Sequence, residues 1–423
     1  MERMASSTLP APASRRHGVG FWAVAFAFLV VMAFSTVPSP LYGIYQARDG
    51  FSSFTITLVY AAYAIGVVGS LVFAGHLSDW HGRRRVLLPA IGASIVSAAI
   101  FLLWRDLPGL VLARIVNGVS VGVVAATATA YLAELHATHR PDAGPGRSQL
   151  VATAVNLGGL AVGPLVSGAI AQWTDRPLSL PFLVFLVALA AAVLVVALTP
   201  ETRERLDPLP TYRPQRVSVP AEARGAFAAA AAGAFLSFGA LGLFTGLAGT
   251  FLVGTLHHTS HALAGLTLFL MFGGGVVAQT ATSTWTLHRV LSLGVALMLV
   301  GLALIVAAVW VSPPSLALFL AGGAFSGAGA GTVFKGTVGT VASIAPPETR
   351  AEALAGLFLA GYLGLSVPVV GAGIALQFAS PKTTLTGFAL LVGAAIVAAA
   401  PRLLRRPAPT SPLAAGTPSP SAG

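Results

Sequence analysis

Only 9% of this 423-residue chain is charged, so the few ionic side chains that interrupt its apolar stretches mark where chemistry can happen. Two lie deep. Arg114, in Arg114-x-x-Asn117-Gly118-x-x-x-Gly122, and Lys335, in Gly327-x-x-x-Gly331-x-x-x-Lys335-x-x-x-Gly339, each sit inside a run long enough to cross a bilayer. A cation in hydrocarbon is costly and by default serves a function, with its partner in the bundle interior. Each also has a plainer reading. Arg114 is shallow enough to snorkel to the outer interface, and the Lys335 stem could follow its glycine groove to the cytoplasmic surface. No run carries Asp or Glu away from its ends, since Glu134 and Glu352 both fall at cytoplasmic edges. An interior whose deep charges are all cationic favours anionic or neutral, moderately apolar compounds. Any proton coupling would then use Lys335, water linked to Arg114, or Glu134.

A third ionic group is the stretch Gly75-x-Leu77-Ser78-Asp79-x-x-Gly82-Arg83-Arg84-Arg85, which lies between two long apolar runs. So polar a segment cannot lie in hydrocarbon and must be a tight turn at a membrane surface. Its three arginines mark the cytoplasmic side, the side on which Glu134 also ends its run. The turn is either a gate or a topology anchor. His257, His258 and His261 cluster on the outer side, where two imidazoles could share a helical face for a metal. No carboxylate accompanies them, so no metal site and no cofactor is expected.

Composition excludes much else. With 56% hydrophobic residues, a mean hydropathy of +0.83 and far fewer charges than the ~25% of soluble domains, the chain is an integral membrane protein. Its apolar runs are continuous rather than alternating, so it is all-α rather than a barrel. The net charge of +11 does not imply nucleic acid, because the arginines fall in short loops between apolar runs. The absence of cysteine removes disulfide and thiolate chemistry. A polytopic membrane enzyme needs a nucleophile, a base or a metal site at the surface, and none is assembled here. The first apolar run has no small-residue cleavage site after it and reads as a retained helix.

Twelve runs are long enough to span, each needing about 20 residues: 21–45, 54–76, 86–104, 109–135, 148–173, 180–198, 225–253, 262–285, 289–311, 315–342, 351–378 and 383–400. With the N-terminus inside, 18 of the 24 basic residues fall on cytoplasmic segments and 4 on the opposite side, which sets both termini inside. The longest loop, 200–224, divides the chain into halves at 18–199 and 225–406. The tails 1–17 and 407–423, rich in Pro, Ser and Ala, are expected to be disordered. The halves echo each other. Arg147 precedes Gly163-Pro164 as Arg350 precedes Val367-Pro368, a repeat typical of alternating-access transporters with substrate between the halves.

The fifth run holds Gly159-x-x-x-Gly163-Pro164-x-x-Ser167-Gly168, small residues that let helices approach closely together with a kinking proline. With the Gly75–Arg85 turn, the Arg114 pattern and the run Pro38-x-Pro40-Leu41-Tyr42, it resembles the major facilitator superfamily (MFS) of secondary transporters, and within it the bacterial drug:proton antiporters. Trp80 stands where the usual turn has a cation, and Ser167 where the fifth helix has a glycine. The resemblance covers nearly the whole chain. It implies two pseudo-symmetric six-helix bundles with helices 1, 4, 7 and 10 around a central cavity. Arg114, Asn117, Lys335 and Tyr42 become candidates for substrate binding or coupling. Gly75, Asp79, Gly82, Arg83 and Glu134 form a gating loop, in which Asp79 caps a helix of the opposite half and Arg83 pairs with Glu134. Gly159, Gly163, Pro164 and Gly168 form a hinge. The expected activity is proton-driven efflux of small amphipathic or organic-anion-like compounds by a monomer in a bacterial inner membrane, its partners being substrate and lipid. The alternatives are import of an organic acid or sugar by symport and, more remotely, a membrane enzyme or a sensor that does not transport. Arginine outnumbers lysine 22 to 2, as in GC-rich bacterial genomes.

Overall fold

A computed structural model describes residues 11–144, 146–212, 219–346 and 349–405, with side chains from Arg15 onward. Among them, 12 helices are long and apolar enough to cross a membrane. They are α1 (Ala11–Thr36), α2 (Ser53–Ala74), α3 (Arg83–Leu103), α4 (Leu107–His139), α5 (Gly146–Gln172) and α6 (Leu180–Ala197) in the first half. The second half holds α7 (Arg224–Gly254), α8 (His261–Ala281), α9 (Leu287–Trp310), α10 (Leu316–Ile344), α11 (Arg350–Ala375) and α12 (Pro381–Leu403).

Local chemistry starts these helices. At the outer face, the hydroxyls of Ser52, Ser260, Ser315 and Ser380 accept the backbone N–H three residues on, at 3.1–3.4 Å, and so cap α2, α8, α10 and α12. Each cap contributes about 1 kcal/mol. α4 and α6 place Pro108 and Pro181 in their first turns, where the missing N–H costs nothing. Pro38 and Pro40 break the first span: α1 ends at Thr36, and a turn at Ser39–Leu41 leads into a short helix, Tyr42–Asp49.

Small residues set the spacing of the bundle. Where α2 crosses α4, Gly66 faces the Ile115 carbonyl and Gly118 faces that of Tyr63, leaving no room for a Cβ on either. In lipid, where no hydrophobic force drives helices together, such close backbone contact supplies the packing energy. The two six-helix halves meet along two seams, α2 with α11 and α5 with α8.

Residues 11–17, expected within a disordered tail, are helical and belong to α1. Residues 1–10, the tail 407–423 and residues 213–218 of the central loop lie outside the described residues.

Candidate functional site

A cavity of about 340 Å³ lies between the halves. It is lined from α1 (Ser35, Thr36), α2 (Tyr60, Tyr63), α4 (Arg114), α5 (Asn156), α7 (Phe238, Thr245) and α11 (Tyr362), and it extends to Leu71 and Gln279, near the cytoplasmic ends of α2 and α8. The lining therefore draws on α2, α5, α8 and α11 as well as the four helices expected.

Arg114 is the charged residue of this lining. It is only 2% exposed and does not snorkel. One terminal nitrogen donates to the Ser35 carbonyl at 2.8 Å, while its Cζ stands 4.5 Å from the Tyr63 ring centroid and 5.6 Å from that of Tyr60. Its Nε has no hydrogen-bond partner. The ion pairs found among the described residues involve Arg48, Arg83 and Arg203, and no Asp or Glu lines the cavity. The closed, outer end of the cavity is therefore a cation held by π-faces and one carbonyl.

The other three candidates for binding fall elsewhere. Asn117, one turn beyond Arg114, is buried with both amide atoms unpartnered, and Tyr42 is buried with its hydroxyl unpartnered. Neither lines the cavity. Lys335 also turns away from it. Its ammonium donates to the Gln279 carbonyl at 2.8 Å and to the Thr282 hydroxyl at 3.2 Å, capping the last turn of α8, where the helix dipole favours a cation. Among the aromatics, Tyr60, Tyr63 and Phe238 reach the cavity, whereas Tyr45 and Phe244 are packed in the core.

Above the cavity the halves are closed. The hydroxyls of Tyr60 and Thr245 lie 2.5 Å apart, and Gln172 Oε1 accepts from Ser260 Oγ and the His261 backbone N–H, both at 2.9 Å. The candidate hinge builds this seal. Gly159 and Gly163 press on the backbone of α1, while Gly168 and the Pro164 carbonyl press on His261 and Gly265 of α8. Leaving out a side chain at Gly168 and Gly265 lets the two backbones touch. The histidine cluster sits beside this seal, and no group of three or more His, Cys, Asp or Glu that could hold a metal occurs among the described residues.

At the cytoplasmic face the charged loop is satisfied within its own half. Arg83 is buried and donates to Asp79 at 2.8 Å, Glu134 at 2.8 Å and Ser78 at 2.8 Å. Asp79 therefore does not cap a helix of the opposite half here. The Asp79 side chain, 45% exposed, meets Arg83 and, at 3.8 Å, Arg203. Gly75 ends α2, and Gly82 starts α3 at φ 101°, a conformation that side chains rarely adopt.

One participant was not foreseen. The Glu201 carboxylate accepts the backbone N–H of Arg83 at 2.8 Å and that of Arg84 at 3.0 Å. An anion thus caps the start of α3, pressed so close to Gly82 that a Cβ there would strike it. Next to it, Thr202 donates to Glu134 at 2.6 Å. A signal was available: Pro200-Glu201-Thr202-Arg203 recurs as Pro347-Glu348-Thr349-Arg350.

His76 packs against Trp80, with ring centroids 4.3 Å apart and the planes tilted, and against Tyr212 at 5.5 Å. Burial pushes its imidazole below the ordinary value, and the nearby Asp79 partly offsets this.

Known proteins share this architecture. A mutant of the nucleoside transporter NupG superposes with a TM-score of 0.68 at 12% identity, covering 90% of this chain and 99% of that one. In sequence, the chain is 30% identical over 128 residues to the arabinose-proton symporter of Bacillus subtilis, 29% of this chain and 28% of that protein. It is 32% identical over 148 residues to the cephamycin export protein of Amycolatopsis lactamdurans, 34% of this chain and 29% of that protein. These matches span less than a third of the relatives' own lengths. The model of the Major Facilitator Superfamily matches residues 24–290, which is more than half of the chain. With twelve spanning helices in two halves around a central cavity, this chain belongs to the Major Facilitator Superfamily.

Proposed function

We propose that this chain is an alternating-access transporter that exports small organic anions with an apolar or aromatic body, in exchange for protons. The observation that carries the reading is Arg114, buried in the cavity lining without a carboxylate partner among the described residues. One carbonyl and two ring faces return only part of the desolvation cost of a buried cation, and an arriving anion would supply the rest, while the Tyr60, Tyr63 and Phe238 rings beside it favour an aromatic body. The cavity is sealed above and reaches the cytoplasmic ends of α2 and α8, so it is poised to load from the cytosol.

Export then requires the outer seam to part and the cytoplasmic ends to meet. Asp79 is half exposed and held to Arg83 by a single bond, so it is free to exchange that partner for the N-terminus of a helix in the approaching half. An aspartate there contributes about 0.3–1 kcal/mol, enough to bias the outward-open state without locking it. Asp79, Glu134 and Glu201 are carboxylates of this face, and we assign the coupling proton to Asp79 and Glu134, which share Arg83. The relatives include both an exporter and a proton symporter by name.

The test is transport in inverted vesicles under an imposed proton gradient, with matched anionic, neutral and cationic compounds. Proton release that depends on an anionic compound, and is lost in Asp79→Asn while the protein still inserts, is the expected result. Co-directional movement of proton and solute would make the protein a symporter. A strong preference for lipophilic cations would end the anion reading.

A further inference from the structure

A second basic pocket, of about 260 Å³, opens at the cytoplasmic ends of α1, α4 and α5, within the first half and away from the central cavity. Arg15, Arg140 and Arg147 line it together with His136 and His139, and no Asp or Glu is among its lining residues. The three arginines are exposed. His136 is not: it is 4% exposed, and its Nε2 is buried without a hydrogen-bond partner. A buried imidazole nitrogen left unsatisfied costs free energy that an incoming polar ligand would recover. α5 begins at Gly146, so the positive end of its dipole adds to the field of the arginines.

The pocket also has an apolar exit. Val19 and Trp22 belong to its wall, and with Phe26 they form an exposed stripe along α1 at helical spacing, running from the pocket toward the membrane interior. Tryptophan at this level is an interface anchor. A free inorganic anion would use the cationic part and ignore the stripe.

We propose that this pocket seats the headgroup phosphate of an anionic phospholipid of the cytoplasmic leaflet, with an acyl chain lying along Val19, Trp22 and Phe26. Basic pockets between helices on the cytoplasmic side suit such headgroups. Bound there, the lipid ties the start of α1 to the ends of α4 and α5 and stabilises the first half. The site is independent of what the central cavity carries.

The full-length protein in neutral detergent, titrated with phosphatidylglycerol, phosphatidylcholine or inorganic phosphate while its melting temperature is followed, tests this. Phosphatidylglycerol should raise the melting temperature, and the other two should leave it in place. Arg140→Ala with Arg147→Ala should weaken the apparent affinity by about 25-fold, about fivefold for each arginine near an anionic headgroup. Arg350→Ala with Arg402→Ala removes two other cytoplasmic arginines and should behave as wild type. An equal loss in that control, an equal shift with inorganic phosphate, or no shift with phosphatidylglycerol would overturn the proposal. A second measurement needs no arginine variant. In nanodiscs, the fluorescence difference between wild type and Trp22→Phe should be quenched more by brominated phosphatidylglycerol than by brominated phosphatidylcholine. Equal quenching would refute the site.

Discussion

Replacing Arg114 should separate binding from stability. The guanidinium is 2% exposed, donates to the Ser35 carbonyl at 2.8 Å and lies over two tyrosine rings, with its Nε unpartnered. A carboxylate that reaches it gains at least one charge-assisted hydrogen bond, about 1.5–3 kcal/mol. At 1.4 kcal/mol per factor of ten, Arg114→Gln should weaken binding of an aromatic carboxylate about 10- to 100-fold. The uncharged methyl ester of the same compound should bind almost as before. Arg114→Lys keeps the charge but loses the planar fork and the ring stacking, so it should fall between. Stability should move the other way. Removing an unpaired buried charge removes a desolvation penalty of several kcal/mol, so the melting temperature of Arg114→Gln should hold or rise. Arg83→Ala provides the contrast, because it leaves Asp79 and Glu134 without the cation that both contact at 2.8 Å, and should melt earlier. The assay is equilibrium binding of a fluorescent carboxylate and its ester to purified protein, beside a melting curve for each variant. Equal loss for acid and ester, or destabilisation of Arg114→Gln as large as that of Arg83→Ala, would refute the reasoning.

Lys335→Met should lower the melting temperature, at a cost of about 1–2 kcal/mol for a lost charged hydrogen bond at a helix C-terminus, while anion affinity stays within about twofold. A large loss of affinity would return Lys335 to the cavity. Gly265→Leu puts a side chain where the Pro164 carbonyl sits, so the outer seam should fail to close. Because the chain has no cysteine, Ser39→Cys gives a single reporter, and its labelling by an impermeant maleimide from outside should rise in the leucine variant; unchanged labelling would show that the seam is not the seal. His76 titrates below its ordinary value in the folded protein, so the unfolded chain takes up its proton first as pH falls through about 6.5. The stability held above that pH should be lost toward the lower folded value, and His76→Phe, which keeps a ring against Trp80, should flatten this part of a melting-temperature profile.

The twelve spans, their division into halves and the charged turn between the second and third were legible in the order of residues. The bilayer demands about 20 apolar residues per helix and forbids a turn such as Gly75–Arg85 in hydrocarbon, and both constraints act on contiguous sequence. Where each interior charge points was not legible. Arg114 and Lys335 read alike, each a lone cation among glycines four apart, yet one lines the cavity and the other caps α8. Helices this apolar all round carry little amphipathic record of which face turns inward. Their rotation is settled by contacts between distant segments, such as Gly66 on Ile115 and Gly118 on Tyr63, which bring Arg114 beneath the tyrosine rings. For Glu201 the sequence offered only the recurrence of Pro-Glu-Thr-Arg; its partner Arg83 lies 118 positions away, a distance that only folding closes.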